Sequence, residues 1–168
     1  GWMDFDAMLA DSGTALEKPA VRARWQPKYL IVDEAQDTDD CQWRMMQLMA
    51  ERHGNITVVG DPNQAIYGFR GAKPDNITNF DQWFPGGKKF FLGKNYRSTR
   101  RIVKFVKENA PPDTTPELLE RMVAARDVEG APIGLKMYWS EESEAESALA
   151  LANKDPLNSI ILARTNRA

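Results

Sequence analysis

Cysteine and histidine each occur once in this 168-residue sequence, as Cys41 and His53. One thiol cannot close an internal disulfide, and one thiol with one imidazole cannot assemble a Cys/His zinc site, so any metal is expected to be held by oxygen. Long apolar runs are also missing. None approaches the roughly 18 residues that cross a bilayer, and Gly1-Trp2-Met3-Asp4 lacks the basic-then-apolar pattern of a secretory signal. The expected location is the cytoplasm, with no membrane partner. Charge of one sign is scarce as well: at a net −2, no global field argues for nucleic acid, and such a case has to rest on local clusters. Low-complexity linkers and internal repeats are lacking too. What is present, 42% apolar and 27% charged residues, is an ordinary globular composition, long enough for one domain or two small lobes.

Hydrophobic periodicity divides the chain. Phe5, Met8 and Leu9 fall at helical spacing within 2–10, and Asp11-Ser12-Gly13 is expected to end that helix. Tyr29-Leu30-Ile31-Val32 is a continuous apolar run that stops at Asp33-Glu34, the pattern of a strand covered on both faces in a parallel sheet. Asp37 or Thr38 can cap a helix running to about Arg52, with Gly54 closing it. A second run, Ile56-Thr57-Val58-Val59, again ends in a polar turn, Gly60-Asp61. Two such strands around a helix make a βαβ unit, and its ligand chemistry belongs at the carboxyl ends of the strands. Further on, the pattern predicts a helix over 74–84, a turn at 85–87, a strand over 89–93 and a helix from a Ser98 or Thr99 cap to Asn109. Helices over 116–126 and 141–153, a strand over 134–139 and an apolar run at 160–162 complete an α/β chain.

Three clusters carry candidate chemistry. Asp33 and Glu34 lie where the backbone leaves a buried strand, so their side chains must diverge. One carboxylate can then hold Mg²⁺, usually through water, while its neighbour polarises a water for phosphoryl transfer. Taken alone, an Asp-Glu pair is more commonly a solvated strand end before a helix cap. In the second cluster, Gly60 to Gly71, glycines and a proline shape an irregular backbone. Gln64 offers a neutral donor and acceptor there, and Tyr67, Phe69 and Arg70 offer rings and a cation suited to single-stranded nucleic acid. Aromatics on such a loop also serve simply as core filling. The third cluster is Asn95-Tyr96-Arg97-Ser98-Thr99, inside a stretch from Lys88 to Lys107 that holds no acidic residue. An arginine at a domain edge can reach the terminal phosphate of a nucleotide on a neighbouring lobe. The other reading is a solvated basic helix face balanced by Glu141, Glu142, Glu144 and Glu146, which fits Arg100, Lys104 and Lys107.

Taken in order, Asp33-Glu34-Ala35-Gln36-Asp37-Thr38, Val59-Gly60-Asp61-Pro62-Asn63-Gln64-Ala65-Ile66-Tyr67-Gly68-Phe69-Arg70-Gly71-Ala72 and Asn95-Tyr96-Arg97-Ser98-Thr99 resemble the UvrD/Rep branch of superfamily 1 DNA helicases. The likeness is densest over 29–99, with fainter similarity in Asp4-Phe5-Asp6 and in Leu162-Ala163-Arg164-Thr165-Asn166. It implies a partial RecA-like parallel sheet with flanking helices over 1–94, continuing into the start of a second RecA-like motor domain over 95–168. It also implies ATP and Mg²⁺ as cofactors, with single-stranded DNA and the remainder of the helicase chain as partners. By the resemblance, Asp33 coordinates Mg²⁺, Glu34 activates the hydrolytic water, Gln64 senses the γ-phosphate and Gln36 joins those two motifs. Tyr96 lies against adenine and Arg97 is the arginine finger. Tyr67, Phe69 and Arg70 meet the DNA strand, with Phe69 where the family often carries tryptophan, and Arg164 is a further candidate for a phosphate contact. Movement along DNA would run 3′ to 5′.

One departure stands out. Members of that family hold ATP phosphates on a Gly-x-x-x-x-Gly-Lys-Ser/Thr loop, and no such run occurs here: Gly87-Lys88 precedes Lys89 and Gly93-Lys94 precedes Asn95. The expectation is therefore an internal piece of an ATP-dependent helicase that by itself hydrolyses ATP poorly or not at all. The alternative is a non-catalytic, helicase-derived module that binds single-stranded DNA or a partner helicase.

Overall fold

The computed structural model describes residues 4–112 and 114–163. Helix α1 (Phe5–Glu17) starts from Asp4, whose carboxylate accepts from Ala7 N at 2.8 Å, and a short α2 (Pro19–Arg22) follows. Strand β1 (Leu30–Val32) leads through a 3-10 turn (Ala35–Asp37) into α3 (Asp40–Ala50), and β2 (Ile56–Val58) follows. β1 and β2 pair in parallel, with Leu30 opposite Ile56, Ile31 opposite Thr57 and Val32 opposite Val58. This is the βαβ unit that the two apolar runs predict.

Beyond it lie 3-10 turns at Pro62–Gln64 and Gly68–Arg70, then α4 (Asp75–Thr78) and α5 (Phe80–Trp83). Strand β3 (Lys94–Asn95), α6 (Arg100–Glu108), α7 (Pro116–Arg121), β4 (Val123–Ala124) and α8 (Glu141–Ala152) complete the order. β3 and β4 form a second parallel pair.

The core sits on one face of the β1–β2 pair. Trp43 of α3 is fully buried together with Ala35, and Leu30, Val32, Ile56 and Val58 press against them. Phe80, Trp83 and Phe84 close around the Trp43 ring, with centroids 6.3, 5.9 and 6.4 Å away. Ring clusters of this kind contribute beyond the area they bury. The other sheet face is open: Ile31 is 75% exposed. Continuous apolar residues predict cover on both sides, but among the described residues packing forms on one side only.

Several boundaries differ from the sequence expectation, each for a local reason. α1 runs through Gly13, because a Cβ there would sit 3.2 Å from Cys41 Sγ and the bare backbone lets α1 lie close on α3. α3 is capped by Asp39, because residues 35–37 are spent in the 3-10 turn. Asp39 and Gln42 form a reciprocal capping box, with bonds of 2.8 and 3.0 Å. The helix expected over 74–84 breaks at Asn79 into α4 and α5, and the one expected over 116–126 stops at Arg121 because the chain extends to pair as β4. The runs at 89–93, 134–139 and 160–162 join no ladder among the described residues. An extended segment becomes a strand only where a neighbouring edge accepts its hydrogen bonds; the first run meets β4 only at its last residue, through the Gly93 carbonyl, and the paired strand is 94–95 just past it.

No described helix is long and apolar enough to cross a membrane. Replacing Trp43 by Ala removes the ring on which three aromatics converge. We expect a loss of about 3–5 kcal/mol of folding free energy in a urea titration, with partial exposure of Trp83 visible as a red-shifted emission.

Candidate functional site

The site begins where β1 ends. Asp33 follows directly on the strand, and Glu34 then turns into the left-handed region at φ 51°, ψ 40°, the one non-glycine positive φ among the described residues. That conformation costs a side-chain-bearing residue on the order of 1–2 kcal/mol, and such costs collect where a precise orientation is needed. Its effect is to separate the two carboxylates. Asp33 Oδ1 accepts the Glu34 amide at 3.0 Å, while Glu34 Oε2 accepts from Gln36 Nε2 at 2.6 Å.

Gln36 is the hinge of the arrangement. Its side chain is buried, with 2% of the residue exposed, and its Oε1 accepts the Asp61 amide at 3.1 Å. One carboxamide thus bonds groups beyond the ends of both parallel strands, beside the backbone bond from Ala35 N to Val59 O at 3.1 Å. Gly60 permits the approach: a Cβ there would lie 2.7 Å from Gln36 Oε1.

The loop from Asp61 to Lys73 is held at both ends by the same 35–38 turn, through Gln36 at its start and through Lys73 N donating to the Thr38 carbonyl at 3.0 Å at its finish. Within it, Asp61 Oδ1 accepts from Asn63 N at 3.0 Å and Oδ2 accepts from Gln64 Nε2 at 2.7 Å. Further along, the Tyr67 and Phe69 rings lie 6.0 Å apart, and the Arg70 guanidinium carbon sits 5.1 and 5.5 Å from their centroids. Phe69 is 80% exposed, so it fills no core. Just past the loop, Asn76 Nδ2 donates to Asp40 of α3 at 3.0 Å, and Lys73 pairs with the same carboxylate. The Asn76 hydrogen bond, then Lys73, hold the Asp40 carboxyl below the usual carboxylate range. Whatever stability this gives is complete above the unfolded-state pKa and is lost as pH falls through the lowered folded value.

The rest of the cleft lining comes from β3 and the turn after it. Asn95 Oδ1 accepts the amides of Arg97 at 3.0 Å and Ser98 at 2.7 Å, folding Asn95–Ser98 into a tight turn with Tyr96 and Arg97 exposed. Asp33, Glu34, Asp61, Gln64, Tyr96 and Arg97 line one cleft of 730 Å³. The acidic strand end and the basic turn, far apart in sequence, therefore share one space. Gln36 lies beneath the cleft floor, and Tyr67, Phe69 and Arg70 lie on the adjoining loop outside its lining. Arg164 falls outside the described residues.

Sequence reasoning missed Asp61 and Asn95 as working residues. Asp61 holds Gln64 and Asn95 shapes the turn, and the signal for both was the Asx-turn habit of Asp and Asn before Pro-x-Gln and x-Arg-Ser. The charge balance of α6 also differs from expectation. Arg100, Arg101 and Lys104 pair with Asp127, Glu129 and Glu108, not with the acidic start of α8. Among the described residues no three His, Cys, Asp or Glu side chains converge as a metal cage. The donor set still fits Mg²⁺, which takes one or two carboxylates and completes its octahedron with water and phosphate oxygens. Asp33, exposed and hard in its oxygen chemistry, has the donor chemistry such a site would use.

The architecture is thus an α/β chain with a polar cleft at the carboxyl ends of parallel strands. The family model of the UvrD/REP helicase N-terminal domain matches residues 1–85, and the chain belongs to that family. It is 37% identical over 147 residues to the ATP-dependent DNA helicase Rep of Escherichia coli, covering 86% of this chain and 22% of that protein. Similarity to the ATP-dependent DNA helicase PcrA of Leuconostoc citreum is 43% over 104 residues, 60% of this chain and 14% of that one. DNA helicase II of Salmonella typhimurium is 34% identical over 148 residues, 86% of this chain and 20% of its own length. The chain spans between 14% and 22% of the length of these relatives.

Replacing Gln36 by Ala leaves the half-buried Asp61 amide without its partner. We expect a loss of about 1–3 kcal/mol in chemical denaturation, and faster amide exchange at Asp61 than at Val59.

Proposed function

We propose that this chain is a segment of an ATP-dependent DNA helicase that couples ATP hydrolysis to movement along single-stranded DNA in the 3′ to 5′ direction. Residues 1–94 would be the later half of a first RecA-like motor domain and 95–168 the beginning of a second, with the remainder of the helicase chain as partner. The observation that carries this reading is the shared cleft, which Asp33, Glu34 and Arg97 all line. Membership of the family and the names of the relatives support it.

In this reading the cleft takes the triphosphate of ATP. Asp33 would hold Mg²⁺, which supplies charge neutralisation at the phosphates. Glu34, turned away from Asp33 by its left-handed backbone, would accept the proton of the attacking water. Arg97, which lines the same cleft, would reach the terminal phosphate and balance charge that builds there. Tyr96 would lie against the base. Gln64, oriented by Asp61, would report the presence of the γ-phosphate to the loop it shares with Tyr67, Phe69 and Arg70, which would grip the strand by stacking and charge. Arg164 would add a phosphate contact.

Two experiments on the full-length helicase test this. Glu34→Gln should retain nucleotide affinity and lose single-turnover hydrolysis by roughly 10²–10⁴-fold, because a carboxamide accepts no proton; an undiminished rate removes Glu34 from the role. Phe69→Ala should weaken single-strand binding by about 1–3 kcal/mol at fixed salt, with little dependence on sequence. Equal affinities in a fluorescence titration would refute stacking on this ring.

A further inference from the structure

The turn that presents Arg97 is held from more than one direction. On its inner side Asn95 Oδ1 takes the amides of Arg97 and Ser98. Beneath it, β3 is fixed to β4 by Val123 N donating to Gly93 O at 2.9 Å and Ala125 N donating to Asn95 O at 2.8 Å. The next residue, Arg126, reaches back over the turn, and its Nη1 donates to the Arg97 carbonyl oxygen at 2.9 Å.

The neighbours of Arg126 behave differently. Asp127 pairs with Arg100 and Glu129 with Arg101 at 3.2 Å, while Arg100 N and Arg101 N donate to the carbonyls of Val128 and Glu129 at 3.0 and 3.1 Å. Residues 125–129 therefore run as a strap along the first turn of α6. Among the described residues, the Arg126 guanidinium makes no ion pair with a carboxylate and is spent on one main-chain oxygen. That bond is exposed, so water competes for both partners and its contribution to stability is modest. Its geometric effect is larger: it fixes the peptide from which the Arg97 side chain departs.

We propose that Arg126 is a positioning residue for Arg97, clamping the main chain that delivers the Arg97 guanidinium into the cleft. This rests on the reading of Arg97 as the cation acting on the bound triphosphate. A charge placed in advance acts without reorganisation, and a small misplacement is costly. Arginine suits the task because its planar fork is rigid, where a lysine would offer a donor on a flexible stem.

The test is a double-mutant cycle in the full-length helicase, read as DNA-stimulated ATP hydrolysis. Arg126→Gln should lower kcat roughly ten- to hundredfold, with KM for ATP moving less than about threefold and the thermal midpoint unchanged. Arg126→Lys should fall between the two, and it carries the comparison if the glutamine variant melts early. In an Arg97→Ala background, Arg126→Gln should cause no further loss. An unchanged kcat for Arg126→Gln alongside a collapse for Arg97→Ala overturns the positioning role and leaves the reading of Arg97 standing, and so does a loss that adds fully to that of Arg97→Ala. A parental rate for Arg97→Ala sinks the reading of the cleft itself.

Discussion

The site depends on one buried carboxamide. Gln36 joins Glu34 to the Asp61 amide beside the cleft, so the two strand ends cannot move independently without breaking a hydrogen bond made by a buried side chain. Buried polar links of this type are costly to leave unmade, which is why a neutral side chain with both donor and acceptor sits there. A carboxylate could not donate to Glu34, and an ammonium could not accept from Asp61. Everything on the acidic wall, including the left-handed Glu34 and the close approach of Gly60, follows from accommodating that group.

The same constraint reaches the aromatic loop. Because the 35–38 turn grips residues 61 and 73, the segment carrying Gln64, Tyr67, Phe69 and Arg70 is a closed excursion from the cleft floor. Hydrogen bonds therefore tie the floor to both ends of the loop. The contacts provide a continuous physical connection between cleft and loop; coupling of two ligands through it belongs to the proposed motor function.

Charge is arranged locally despite the near-neutral total. Carboxylates gather on the β1 and β2 ends and guanidinium on the β3 turn, so the cleft is bounded by opposite signs. The basic residues of α6 are answered mainly by Asp127, Glu129 and Glu108. Arg97 and Arg126 stand apart from that pattern, one facing the cleft and the other holding the first in place.

Local chemistry alone determined the two apolar strands around α3, the abrupt carboxylates at their ends, the helical character of α6 and α8, and the ordered motifs that mark the family. Those features depend on near neighbours in the chain, through periodicity, capping and turn propensity. Tertiary structure decided the rest. Gly13 continues a helix that lies close against Cys41, Asp39 replaces Asp37 and Thr38 as the cap because the preceding turn uses them, and the apolar run at 89–93 touches β4 only through Gly93 while residues 94–95 pair with it. That Arg97 shares a cleft with Glu34, and that Arg126 reaches the Arg97 carbonyl, are likewise matters of long-range packing. A sequence window records what a residue prefers, whereas which edge, carbonyl or carboxylate it meets depends on segments folded against it from far along the chain.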